Sequence, residues 1–158
     1  MSTAVFARAL RTVARQPLVR WLVGFKATYL AAVLAGVCLW NDFDEGKFYG
    51  VMARWPRDGQ PVLASHFATW DAAHYLYLSE VGYAKDVHSC AFYPLWPLLV
   101  RWFAPLLGGS HVLAGLVLAN AFSMAAWVLF HRLVARRWGE SAANWALAFL
   151  IAFPGALF

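Results

Sequence analysis

The chain has 158 residues that are 62% hydrophobic, 17% aromatic and only 13% charged, with a mean hydropathy of +0.56, outside the usual range of a water-soluble domain. It reads as an integral membrane protein. The formal charge of +5 would suit nucleic acid, but the bases flank apolar segments, so orientation in a bilayer accounts for them and no nucleic-acid partner is expected.

Met1 to Arg20 carries Arg8, Arg11, Arg15 and Arg20 without an acid, on a spacing that fits an amphipathic helix at an anionic membrane surface. The apolar run from about Trp21 to Trp40 follows. It is near the roughly 20 residues needed to span, and no small-residue cleavage site follows it, so it is expected to be a transmembrane anchor with a cytoplasmic N-terminus. Lys26 lies about a turn inside its cytoplasmic edge, where it can snorkel.

From Asn41 to about Cys90 the character changes. Seven of the chain's eight acids fall here (Asp42, Asp44, Glu45, Asp58, Asp71, Glu80 and Asp86) against four bases. Such a segment suits an extracytoplasmic loop, expected over about residues 41–110, and a loop too long for a simple turn usually has a task. Within it, Arg57 to Pro61 reads as a turn. From Ala91 to Gly109 the chain is apolar again, yet Pro94, Pro97 and Pro105 interrupt it and Arg101 falls near its middle. That makes a poor span, so short helices at the interface or packed on the bundle are expected. His111 to about Leu133 is a better span, closed by Arg132, Arg136 and Arg137 on the cytoplasmic side as positive charge prefers. Residues 141–158 would cross outward again. The spacing predicts an all-α, multi-span bundle forming a single transmembrane domain, with spans at about 21–40, 111–133 and 141–158. The chain ends in an apolar segment, which suggests the N-terminal part of a larger protein.

The chemistry concentrates between Phe67 and Pro97. Thr69 reads as the N-cap of a short helix over Trp70 to Val81, closed by Gly82. Asp71 then falls in the first turn, where free N–H groups and the macrodipole favour an ionised carboxylate. An ionised, fixed carboxylate is what a general base requires. His74 and Tyr75 lie on the same side as Asp71, and Trp70, His74 and Tyr77 form an adjacent stripe. The competing reading makes Asp71 a first-turn helix stabiliser and the aromatics, among them nine Trp in the chain, an interfacial belt. His66, His74 and His88 are too scattered for a zinc site, and no motif asks for a metal or cofactor. Cys38 and Cys90 lack a pairing pattern, and the expectation is two small hydrophobes, with a disulfide as the alternative.

Trp70-Asp71, then Tyr77, Gly82-Tyr83 and Ala91-Phe92-Tyr93-Pro94-Leu95-Trp96-Pro97, resemble the PIG-V-like mannosyltransferases, relatives of GPI mannosyltransferase 2 in the GT-C superfamily. Asp86 and His88 occupy the family's acidic or histidine-bearing turn, one residue longer here, and Phe153-Pro154 is similar to its Phe-Pro at the end of a later span. The resemblance implies a GT-C-like membrane enzyme that transfers a sugar from a polyprenyl-phosphate-linked donor to a lipid or glycan acceptor hydroxyl outside the cytoplasm, with inversion. Asp71 matches the catalytic aspartate. Trp70, His74, Tyr75, His88, Tyr93 and Arg101 are the expected substrate contacts, Arg101 because a guanidinium can grip two phosphate oxygens. A bacterial plasma membrane is the expected location, with the endoplasmic reticulum as the alternative. The rival function is a non-catalytic membrane subunit or degenerate paralogue whose outer loop binds a glycan or a partner.

Overall fold

A computed structural model describes residues 17–39, 54–56 and 63–153 of the chain. The amphipathic helix expected before Pro17, the turn at Arg57 to Pro61, most of the acidic segment after Trp40, and Pro154 onward lie outside the described residues. The described residues are helical, with no strand beyond an isolated antiparallel bridge between Arg54 and Thr69. Five α-helices follow in order: α1 (Pro17–Leu39), α2 (Asp71–Glu80), α3 (Leu95–Phe103), α4 (His111–Trp138) and α5 (Glu140–Ala152). Short 3₁₀ turns occupy Leu63–Phe67, His88–Ala91 and Ala104–Leu107. The chain divides into two compact units, one from residues 1–41 with 121–158 and the other from residues 42–120.

In the first unit, α1 starts at Pro17, a residue whose fixed φ suits the first helical position and whose missing N–H costs nothing there. Pro17 to Arg20 therefore belong to the long helix and not to a separate surface helix. The core is Leu22, Trp127, Leu147 and Ile151, with Phe25, Met124, Val128 and Leu150 packed against it. Lys26 does not snorkel outward: it is 6% exposed, and its ammonium lies 4.7 Å from the Trp127 ring centre in a cation–π contact. His131 is also buried, with Nε2 2.9 Å from Asn144 Oδ1 and 3.7 Å from Glu140 Oε2. Both neighbours are acceptors, so Nε2 carries the proton.

Among the described residues, two helices are long and apolar enough to cross a membrane: α1, with mean hydropathy 1.5, and α4, with 2.0. Only 11% of the most apolar window of each is buried, so most of their side chains face outward. α4 runs past the expected end at Leu133 to Trp138 and stops before Gly139, whose φ is +86°. α5 has 13 residues, about 20 Å, shorter than a hydrocarbon core of roughly 30 Å. Its end, Phe153, is extended, as a residue before proline prefers.

In the second unit, α2 and α3 pack together with the first turns of α4 around Ala68, Leu76, Val100, Ala104 and Ala114. The proline-rich run is a short helix continued by a 3₁₀ turn, not a span. Behind it, Ser79 is fully buried. Its hydroxyl donates to Leu76 O at 2.7 Å, which leaves its oxygen to accept from His111 Nδ1–H at 2.8 Å.

Candidate functional site

The second unit holds a cavity of about 550 Å³ with three walls. One is α2, through Ala73, His74 and Tyr77; a second is Arg54 and Trp55; the third is the turn Asp86 to Ser89. The first two are joined by backbone pairing, since Trp55 N–H donates to Ala68 O at 3.0 Å beside the Arg54–Thr69 bridge. Trp55 then meets Tyr77 edge-on at 4.9 Å and donates from Nε1 to Glu80 Oε2 at 2.8 Å. These contacts fix two aromatic faces on one side of the cavity.

The entry to α2 differs from the expectation. Thr69 is not the N-cap, because its backbone is committed to the bridge with Arg54. Trp70 takes that position at φ 55°, ψ −136°, with no side-chain capping bond. This region is essentially glycine's, and an L-residue held there stores about 1–3 kcal/mol. The C-terminal expectation holds: Val81 N–H closes on Tyr77 O at 2.8 Å, and Gly82 follows at φ +97°.

His74 is held from two sides. Its Nδ1 is 2.9 Å from Ser89 Oγ, and its ring stacks on Phe92 at 4.9 Å and 15°. Nδ1 is thus engaged, and Nε2 is the ring nitrogen left for a ligand. The third wall is a closed turn. Cys90 Sγ accepts from Ala84 N–H at 3.3 Å and donates to Ala84 O at 3.0 Å, and Tyr83 Oη donates to Phe92 O at 2.7 Å. Asp86 sits in this turn at φ 63°, a left-handed conformation that Asp tolerates better than most residues.

Of the expected site residues, the structure brings His74 and His88 into one lining. Asp71 is exposed in the first turn of α2, one turn ahead of His74 and outside that lining. Trp70 (62% exposed) and Tyr93 (86%) also lie outside it, and Tyr75 packs edge-on against Phe92 at 5.0 Å. Arg101 is exposed on α3 and reaches over Gly82, with Nη1 3.7 Å from where a Cβ would stand there. The lining adds Arg54, Trp55, Tyr77, Asp86 and Ser89. Tyr77 was legible as a stripe partner of His74, and Asp86 as a member of the turn. Arg54 and Trp55 arrive through a backbone bridge that leaves no mark in the sequence pattern.

Chemically, Arg54, His74 and His88 can hold anionic oxygens, Asp86 can accept a proton or a sugar hydroxyl, and Trp55 and Tyr77 offer faces for a sugar ring. No cluster of three or more His, Cys, Asp or Glu suited to a metal occurs among the described residues, and Cys38 and Cys90 are both free thiols. No family model, curated protein or solved structure matches the chain.

Proposed function

We propose that the chain is a GT-C-like membrane glycosyltransferase that moves a sugar, mannose by its motif, from a polyprenyl-phosphate donor to an acceptor hydroxyl on the extracytoplasmic side. The observation that carries this reading is the cavity: the stretch bearing the Trp-Asp to Pro-x-x-Pro resemblance also builds a pocket with cationic, carboxylate and aromatic walls. The two long apolar helices fit a lipid-borne donor.

In the proposed reaction the acceptor oxygen attacks the anomeric carbon as a carboxylate takes its proton. The bond from that carbon to the phosphate oxygen breaks, and the lipid phosphate leaves with the electron pair. One base suffices, since the leaving phosphate is already ionised. Arg54, His74 and His88 stabilise its charge. Asp71 is the base by motif, standing exposed to an incoming acceptor; Asp86 is the carboxylate within the cavity.

The test is sugar transfer from radiolabelled polyprenyl-phosphate mannose by the full chain in liposomes. Asp71→Asn is expected to lower turnover about a hundredfold or more, as removal of a general base does, with folding intact. Loss in Asp86→Asn alone would move the base into the cavity and keep the enzyme class. Unchanged turnover in both variants, or none in the wild type, overturns the proposal. The exposure of Asp71 outside the cavity favours the second reading, a non-catalytic subunit whose loop binds a glycan or partner. Under that reading the cavity binds mannoside without turning it over.

A further inference from the structure

The segment Leu95–Leu107 buries one edge and exposes the other. On the inner edge, Pro97, Val100 and Ala104 are buried, the last two in one cluster with Ala114 of α4. The Val100 Cγ2 methyl lies 4.0 Å from where a Cβ would stand on Gly115. On the outer edge, Leu95, Leu98, Trp102 and Leu106 are 70%, 40%, 71% and 73% exposed. Their spacing places all four on one helical stripe. Tyr93, just ahead of the helix, is 86% exposed, and the one charged side chain of the segment, Arg101, is exposed beside Trp102.

A helix that faces water carries charge on its outer stripe; this one carries leucine and tryptophan. What covers it follows from its neighbour. The inner edge packs on the first turns of α4, one of the two helices apolar enough to cross a membrane, and only Gly108 to Ser110 join the two. The stripe is therefore held beside the point where this apolar helix begins, and Leu113 and Val117 in the first two turns of α4 are themselves 45% and 38% exposed. A bilayer that takes α4 meets the stripe at the level of its headgroups. Trp, Tyr and Arg are the side chains that favour that level.

We infer that Leu95–Leu107 is a membrane-docking element whose Leu95, Leu98, Trp102 and Leu106 stripe lies in the interfacial layer of the bilayer. This inference rests on exposure and packing and is independent of the transferase reading. It has a bearing on the cavity, because Phe92, three residues ahead of α3, stacks on the cavity residue His74. A pocket wall tied to a membrane-lying helix suits ligands that are themselves anchored in lipid.

The experiment places a single cysteine at Leu98, Trp102, Leu106 or, as an aqueous reference, the exposed Lys85, in the full chain with Cys38→Ser and Cys90→Ser. Each is labelled with an environment-sensitive nitrobenzoxadiazole probe and reconstituted in phosphatidylcholine–phosphatidylglycerol vesicles. Probes at 98, 102 and 106 are expected to emit to the blue of the probe at 85. Lipids carrying a nitroxide near the headgroup should quench them at least about twofold more, and aqueous iodide correspondingly less. Iodide quenching equal to that at 85 overturns the inference. So does shielding from both quenchers, which would mean that a protein, a partner or a second copy, covers the stripe. The unlabelled chain supplies a second measurement: quenching of tryptophan emission by lipids brominated near the headgroup should fall in Trp102→Phe, and no change overturns the inference.

Discussion

Trp70 is held at φ 55° with its side chain 62% exposed, so the chain carries backbone strain there with little burial to offset it. Strain of this kind persists where the surroundings dictate it, often at functional sites. Here it sits directly before Asp71, in the dipeptide that carries the resemblance. Trp70→Gly should raise stability by about 1 kcal/mol in denaturation of the detergent-solubilised chain, because glycine adopts this conformation without penalty. Under the transferase reading the same variant should lose sugar transfer. A loss of stability would show that the exposed indole makes contacts that outweigh the strain. The sequence could not disclose this arrangement. Thr69 has the chemistry of a cap, but its backbone is drawn into the bridge with Arg54, and a distant pairing of that kind leaves no local signal.

At the scale of elements, the sequence located every described α-helix, because long apolar runs and a helix ended by glycine are local signals. Boundaries moved where a local rule competed with another. α1 begins at Pro17 because proline is welcome in a first turn, and α4 continues through Arg132, Arg136 and Arg137 because arginine is a good helix former and the φ of +86° at Gly139 supplies the stop. The two helix-ending glycines separate backbone cost from packing cost. A Cβ at Gly139 would meet nothing within 4 Å, so Gly139→Ala should cost about 1–3 kcal/mol, the penalty of holding an L-residue at φ 86°, ψ 167°, a region essentially glycine's. Gly82→Ala, at φ +97°, carries a positive-φ penalty of the same order, and its Cβ would lie 3.7 Å from Arg101 Nη1, an ordinary contact. Equal losses in thermal denaturation would confirm that both glycines act through φ; a much larger loss at Gly82 would mean that the Arg101 contact is strained.

For the whole molecule, the apolar surface favours a lipid environment over water. Trp21, Leu129, Leu133, Trp145 and Phe149 are each more than half exposed in the first unit, an arrangement that lipid tolerates and water does not. The sequence disclosed this apolar character through composition. It did not disclose that His74 and His88 share one cavity with Arg54, since that depends on how a turn folds back over α2. The proposed topology predicts that a cysteine at Lys85 reacts with an impermeant maleimide applied outside cells or right-side-out vesicles, while one at Arg137 reacts only after permeabilisation. The reverse pattern would put the cavity on the cytoplasmic side and remove the lipid-linked donor from reach. One ring gathers much of the second unit: Phe92 stacks on His74, receives the edge of Tyr75, and lends its carbonyl to Tyr83, three residues before α3 begins. Pocket shape and helix placement consequently share a single keystone, so neither can be retuned, by drift or by an engineer, without the other registering the change.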